Sequence, residues 1–363
     1  MKNYLTKQIL RVIKRVFPYL TKPQKQTLAE LVVALMSPSK FTLREIASYL
    51  SGDTNVKHKL KRLKNFLDRF KIDFQFWSNF VKLVFSLPYF RLNKRKVITL
   101  VIDATTLKDD LWILGASITY RGRCIPVYLK SWREPNSSYD FWSRVSNFLR
   151  DLKKILPERF RYEIIGDRGF QSTKLFEICK ELDWDYVVRI NGNWMCKVSG
   201  GKYYMQLSLF EDGFYENVVL GKRGKYEDVN IAINSIRDEA GEKIRWYLAT
   251  SLKERERAIT DYERRMWIEE SFKDLKSILK WEGYTKKIPE KGRLEKLIAV
   301  SLISYTIGLS IGSKVSVPPS EEKKTSLYKR FQHLIVSWSR NAQKIVCLVI
   351  TIFLVYFWRI YGI

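Results

Sequence analysis

Cysteine and histidine are both scarce in this 363-residue chain. The four cysteines, Cys124, Cys179, Cys196 and Cys347, stand far apart with no Cys-x-x-Cys pair, so the pattern suggests neither a disulfide framework nor a thiolate zinc site. Two histidines, His58 and His333, are too few for a histidine-based metal centre or a nucleophile triad to be a natural reading. Any metal would fall to carboxylates, whose hard oxygens favour Mg²⁺ or Mn²⁺. Acidic residues are also few: 38 Asp and Glu face 65 Lys and Arg, for a formal net charge of +27. The basic, amphipathic start of the chain lacks an uninterrupted signal-peptide core and a small-residue cleavage site. No internal repeat and no low-complexity segment interrupts the sequence.

Hydrophobic residues make up 46% and aromatics 14%, which is too apolar for disorder, so the positive charge must lie on a folded surface. Such a surface attracts polyanions, nucleic acid first. The charge is uneven, because residues 1–96 hold 21 Lys and Arg against 5 Asp and Glu, +16 of the total. Residues 1–92 read as a basic helical region. One helix opens at Thr42 with Glu45 three residues on, a capping-box spacing. After the turn Ser51-Gly-Asp-Thr-Asn55 comes a second helix, with Val56, Leu60, Leu63 and Leu67 facing inward and Lys57, Lys61 and Lys64 on a basic stripe. This order suggests a helix-turn-helix-like contact with double-stranded DNA; a solvated lysine face on a helical bundle is the competing reading.

A different organisation begins at Asn93. Val97-Ile-Thr-Leu-Val-Ile102 is an apolar strand ending on Asp103, followed by two strands around a hairpin at Gly122. Phe141, Val145, Phe148, Leu152 and Ile155 recur at helical spacing, and Tyr162-Glu-Ile-Ile165 is a fourth strand closed by Gly166-Asp167-Arg168-Gly169. A helix over 171–182 and a strand over 184–190 follow. The fold class is therefore α/β, a mixed sheet flanked by helices over 93–190. Residues 191–255 read as a β-rich insertion, and 256–312 return to helix. Residues 315–324, with Pro318-Pro319, read as a linker within a helical C-terminal region, 313–363. The apolar run 345–358 would make a helix of about 21 Å. That falls short of a hydrocarbon core of about 30 Å, which favours a packing helix or interface over membrane insertion.

Residues 261–280 carry the densest chemistry. On a single helix, Tyr262, Arg265, Glu269 and Lys276 fall on one stripe, and Ile268, Phe272, Leu275 and Leu279 on an adjacent core stripe. Arg265 and Glu269 could simply form an i,i+4 ion pair. Upstream, however, Asp103 and Asp167 each end an apolar strand. Neighbouring strands would put both carboxylates at one sheet edge, where they repel unless a cation lies between them. Alone, each aspartate could equally be a turn former or cap. Glu269 would complete a hard-metal site, in which a pair of divalent ions can drive phosphodiester chemistry. Asp109 and Asp110 fall in the loop after the first strand. Glu270 points about 200° from Ile268 on a regular helix, hence toward solvent. Glu263 and Asp274 read as off-stripe or surface charges.

Tyr262-x2-Arg265-x3-Glu269-x6-Lys276 resembles the Tyr-Arg-Glu-Lys signature of insertion-sequence DDE transposases. Val101-Ile-Asp103-Ala-Thr105 and Ile165-Gly-Asp167-Arg-Gly-Phe170 look like the contexts of that family's first two acidic residues, and a β-rich insertion before the glutamate is also a family feature. The resemblance covers about residues 97–280. It implies an RNase H-like fold in which Asp103, Asp167 and Glu269 ligate two Mg²⁺ (or Mn²⁺) ions and Tyr262, Arg265 and Lys276 hold DNA near the cleaved end. It further implies cleavage at transposon inverted-repeat ends and joining of the freed 3′-hydroxyls to target DNA, by a homodimer or larger assembly in a prokaryotic, nucleoid-associated cytoplasmic setting, with no membrane. An RNase H-like nuclease without strand transfer and a non-catalytic basic DNA-binding protein are the alternatives. Trp194 and Trp281 are candidates for stacking on a displaced base, against a reading as core residues.

Overall fold

The computed structural model describes residues 2–36, 42–91, 97–107, 111–132, 138–221, 226–237, 241–279, 281, 291–314 and 326–338. The expected linker at 315–324, the apolar run 345–358, Cys347, Asp109 and Asp110 lie outside the described residues.

The N-terminal region is helical, as its periodicity predicts: α1 (Lys2–Val16), α2 (Lys22–Met36), α3 (Leu43–Ser48), α4 (Val56–Arg69), α5 (Phe74–Phe85) and α6 (Pro88–Arg91). The capping box at α3 forms. Glu45 N–H donates to Thr42 Oγ1 at 3.1 Å, and Thr42 N–H donates to Glu45 Oε2 at 2.8 Å. Asn55 caps α4 through the His58 N–H. The buried side of α4 is Leu63, Phe66 and Leu67, while Lys57 and Lys61 are exposed and Lys64 is half-buried. Arg62 is held by the buried Glu30 at 2.6 Å.

The sheet follows: β1 (Val97–Leu107), β2 (Leu111–Tyr120), β3 (Arg123–Trp132), then α7 (Ser138–Ile155), β4 (Arg161–Gly166), α8 (Thr173–Leu182) and β5 (Asp185–Ile190). The β2–β3 hairpin turns on Arg121 and Gly122, whose φ values of 47° and 78° match a two-residue hairpin turn. β1 runs antiparallel to β2 and parallel to β4, and β4 runs parallel to β5, giving the mixed sheet of an RNase H-like core. Consecutive residues of β3 look to opposite sides. Tyr128 stacks on Phe148 of α7, while Leu129 lies on the side where a side chain at Gly115 would also meet Phe272. Helices therefore cover both faces, and the central strands are largely apolar, with a few buried polar side chains among them such as Thr99 and Glu163.

Residues 191–250 do form strands, β6 (Met195–Lys197), β7 (Met205–Gln206), β8 (Gly213–Leu220), β9 (Tyr226–Arg237) and β10 (Lys243–Thr250). They extend the same sheet, because β10 pairs antiparallel with β5. The result is one ten-stranded sheet in the order β3-β2-β1-β4-β5-β10-β9-β8-β6-β7.

The helix expected over 261–280 is broken. α9 (Arg255–Glu263) ends at a tight turn in which Arg264, Arg265, Trp267 and Ile268 each bond back three residues. α10 (Met266–Lys273) follows and then widens into a π-helical turn at Asp274–Ile278. α11 (Lys291–Gly312) and α12 (Leu327–Trp338) complete the described chain. Residues Gly292–Gly312 of α11 are apolar and long enough to cross a membrane, yet 89% of that window is buried within the fold. α11 packs on α2 and α4: Ser304 donates to Val32 O at 3.1 Å, and Arg293 pairs in a fork with Asp68 at 2.7 and 2.9 Å. The helical region and the sheet thus share one core.

Candidate active site

Two strands set the first two carboxylates. β1 and β4 run parallel with Val101 opposite Ile165, so Asp103 and Asp167 each lie two residues beyond the same rung. β1 does not end at Asp103 as its apolar run suggests. It continues to Leu107 along β2, with Asp103 opposite Gly115. Asp167 does leave its strand. It caps the short 3₁₀ turn Arg168–Phe170, where its Oδ1 accepts the Gly169 N–H at 2.8 Å. A Cβ at Gly169 would fall 3.0 Å from that oxygen, so glycine here leaves Asp167 room. Asp167 is therefore a cap and a member of the site at once.

The third carboxylate comes from α10. Ile268, Phe272, Leu275 and Leu279 are all buried, as their spacing predicts, and they seat the helix on the sheet. A side chain at Gly115, opposite Asp103, would intrude between Leu129 and Phe272. The buried Cys124 N–H donates to Ser271 Oγ at 2.7 Å, and Arg123 Nε donates to Asp274 Oδ2 at 3.2 Å. Asp274 is thus a buried anchor, not a surface charge. Glu270 faces outward as expected, its side chain 42% exposed, and there it lies 3.6 Å from Arg123 and 2.7 Å from Lys273. Glu263 is exposed, as its position predicts.

Arg265 joins the elements. Its Nη1 donates to Glu269 Oε1 at 2.6 Å and its Nη2 to Asp167 Oδ2 at 3.3 Å. The expected Arg265–Glu269 pair is real, but the same guanidinium also reaches the sheet edge, and its side chain is only 16% exposed. Burial opposes its charge, yet Tyr262, Asp167 and Glu269 hold its pKa above the ordinary arginine value. Asp103 belongs to the same electrostatic cluster. Burial pushes its carboxyl up to about 6, Arg265 pulls it down, and Asp167 and Glu269 push it up again, while the Ala104 N–H steadies the anion.

Among the described residues, no three His, Cys, Asp or Glu side chains stand close enough, as placed, to hold one ion. The Arg265 guanidinium accounts for this at Asp167 and Glu269, since it spans the two carboxylates. The donor set itself is all carboxylate oxygen and fits a hard divalent cation.

The other expected residues divide. Lys276 lies half-buried on the π-helical turn with no ion-pair partner among the described residues. Tyr262 is on α9, not α10, and is 4% exposed, its ring edge-to-face with Trp246 at 4.9 Å. That packing withdraws the ring from base stacking. Burial raises its pKa, with Arg265 and Arg189 as charged neighbours that lower it. Trp281 is fully buried and donates to Ser301 at 2.8 Å, and Trp194 donates to Gln171 at 3.2 Å, so both are held by the fold. Lys57, Lys61 and Lys64 lie on α4, apart from the carboxylates in sequence and element. Gly169, Arg123 and Arg189 were not singled out by the sequence. The signal for Arg189 was a charge inside the apolar strand Tyr186-Val-Val-Arg-Ile190.

Residues 146–305 match the family model described as "Transposase DDE domain". The match includes Asp167, Tyr262, Arg265, Glu269 and Lys276 and begins after Asp103. No curated protein matches the chain.

Proposed function

We propose that this chain, whose residues 146–305 match a transposase DDE domain, is an insertion-sequence DDE transposase that carries out cut-and-paste DNA transposition: binding of inverted-repeat ends, metal-dependent hydrolysis there, and joining of the freed 3′-hydroxyls to target DNA. The observation that carries the reading is the convergence at Arg265. Asp103 and Asp167 stand in step on adjacent parallel strands, and one guanidinium links Asp167 to Glu269 from a separate helix.

Asp103, Asp167 and Glu269 would hold the cations, Mg²⁺ or Mn²⁺. Bound in pairs, such ions activate an attacking hydroxyl and stabilise the leaving oxygen of a phosphodiester. The protein's own groups supply position and charge. With the carboxylates committed to cations, Arg265 would be free beside the site, where its planar fork would suit a phosphate of the bound strand. Lys276 adds a second positive charge about two turns beyond Glu269, on the π-helical turn. Tyr262 serves by packing against Trp246 beneath Arg265, not by stacking on a base. On the helical region, Lys57, Lys61 and Lys64 contact the phosphates of double-stranded DNA, part of a surface that carries much of the +27 charge. Two copies acting on paired ends, in the cytoplasm at the nucleoid, complete the proposal.

The test is cleavage of intact ends followed by strand transfer with pre-cleaved ends. Asp103→Asn, Asp167→Asn and Glu269→Gln should each abolish cleavage and joining while end binding survives. An active Glu269→Gln enzyme refutes its assignment, and cutting without any joined product makes the protein a nuclease that lacks transfer.

A further inference from the structure

Charged side chains seldom sit inside apolar strands without a partner. Glu163, in the middle of β4, is fully buried, and its register partner on β1 is Thr99, itself buried. Thr99 stands four residues upstream of Asp103 on β1 and, by the alternation of strand side chains, on the same face, and Glu163 stands four residues upstream of Asp167, which lies just past the end of β4. At about 3.3 Å per residue they form a polar rung about 13 Å below the candidate site.

α9 is fastened to this rung. Arg257 Nη2 donates to Glu163 Oε2 at 2.9 Å, and Arg257 Nε reaches Asp261 Oδ2 at 3.4 Å. Asp261 Oδ1 pairs with Arg264 Nη1 at 2.7 Å, and Arg264 Nη1 reaches Thr99 Oγ1 at 3.4 Å. The chain runs from β4 through the helix to β1. It therefore ties β4 and β1, the strands that lead to Asp167 and Asp103, to α9, the helix that precedes the Glu269 helix across the tight turn. The tight turn that separates α9 from α10 begins at Arg264, so the last link of the chain lies at the pivot of the Glu269 helix. Among the described residues Glu163 Oε1 has no hydrogen-bond partner, and burial followed by repulsion from Asp261 holds the Glu163 carboxyl above the usual range. Half of Glu163 is thus committed to Arg257 while the other half contributes nothing, an arrangement that stability alone does not favour.

We propose that Glu163, Arg257, Asp261 and Arg264 are positioning residues, a buried polar clamp that fixes the Glu269 helix at the angle and height where Glu269 meets Asp103 and Asp167. The clamp rests on the reading of those three carboxylates as one cation site. Without it α10 can still pack through its apolar stripe, since hydrophobic contact sets proximity more than register. Loss of the clamp thus loosens the site before it unfolds the protein.

The experiment titrates the full-length protein with Mn²⁺ alone, following free Mn²⁺ by electron paramagnetic resonance, with a circular-dichroism melt of each variant. Wild type should bind Mn²⁺, and Asp103→Asn should lose it. If wild type does not bind, or Asp103→Asn binds equally, the reading of the site fails and takes the clamp with it. Given that control, Arg257→Ala should weaken Mn²⁺ binding at least tenfold while the protein stays folded at the titration temperature, and Arg257→Lys should recover most of the loss. Arg257→Ala folded with wild-type affinity overturns the clamp alone. Should Arg257→Ala not fold, Glu163→Gln decides: it keeps the shape and removes the charge that holds Arg257, and undiminished Mn²⁺ affinity there overturns the proposal.

Discussion

If Arg265 competes with cations for the carboxylates, removing it should tighten metal binding in the DNA-free protein. The guanidinium stands 2.6 Å from a Glu269 oxygen and 3.3 Å from an Asp167 oxygen, so an ion shared by those groups would lie within about 4 Å of its charge. At 4 Å, two unit charges repel by about 1 kcal/mol even at the dielectric of water, and a divalent ion doubles this to about 2 kcal/mol. With about 1.4 kcal/mol per tenfold, Arg265→Ala should bind Mn²⁺ about 30-fold more tightly than wild type. The side chain is mostly buried, which strengthens the repulsion, while salt weakens it. Arg265→Lys keeps the charge and should stay near wild type. The assay is the Mn²⁺ titration without DNA, at low ionic strength, at pH 7 and again at pH 5. A carboxyl raised to about 6 loses its charge as the pH falls through that value, so both proteins should bind far more weakly at pH 5, as Asp103 becomes protonated. An Arg265→Ala protein that binds Mn²⁺ no better than wild type would refute the competition and make Arg265 an organiser of the carboxylates instead.

Two further outcomes are accessible. Replacing Lys57, Lys61 and Lys64 with alanine should weaken binding to duplex DNA and reduce the slope of log affinity against log salt by about 0.9 per lost phosphate contact; an unchanged slope would place the DNA elsewhere. Gly115→Val should cost about 1–3 kcal/mol of stability through overpacking, read as a lower urea midpoint, because a Cβ there already lies 3.0 Å from Leu129 and 3.7 Å from Phe272; an unchanged midpoint would show slack between the sheet and α10.

Much of the frame was legible because it follows from periodicity. The apolar runs gave β1, β4 and β5, and the spacing of Val145, Phe148 and Leu152 gave α7. Ile268, Phe272, Leu275 and Leu279 named the buried side of the Glu269 helix without error. The step from strands to site needed one more fact, that β1 and β4 are parallel neighbours, and only the register supplies it. Residues 191–250 were read as strands, yet nothing in their alternation says that β10 pairs with β5 and continues the central sheet.

The break between α9 and α10 was hidden for a physical reason. No proline or glycine marks it, and the residues at the break, Glu263-Arg-Arg-Met266, are all good helix formers. It arises from competition: side chains on both sides of the turn are fastened to different strands, Arg257 and Arg264 to β4 and β1, Ser271 and Asp274 to the start of β3. Such tertiary anchors leave a trace only as charged or polar residues in positions where apolar ones belong. Glu163 in Tyr162-Glu-Ile-Ile165 is one such residue, a charge within an otherwise apolar strand. The helix reading had made Tyr262, Arg265, Glu269 and Lys276 one continuous face. The fold instead distributes them over α9, a tight turn, α10 and a π turn. That leaves Tyr262 in the core and turns Arg265 toward the sheet. The spacing of the four residues is therefore not the geometry of one helical face; it is the length of chain needed to carry a carboxylate from the polar rung at Glu163 to the sheet edge at Asp167.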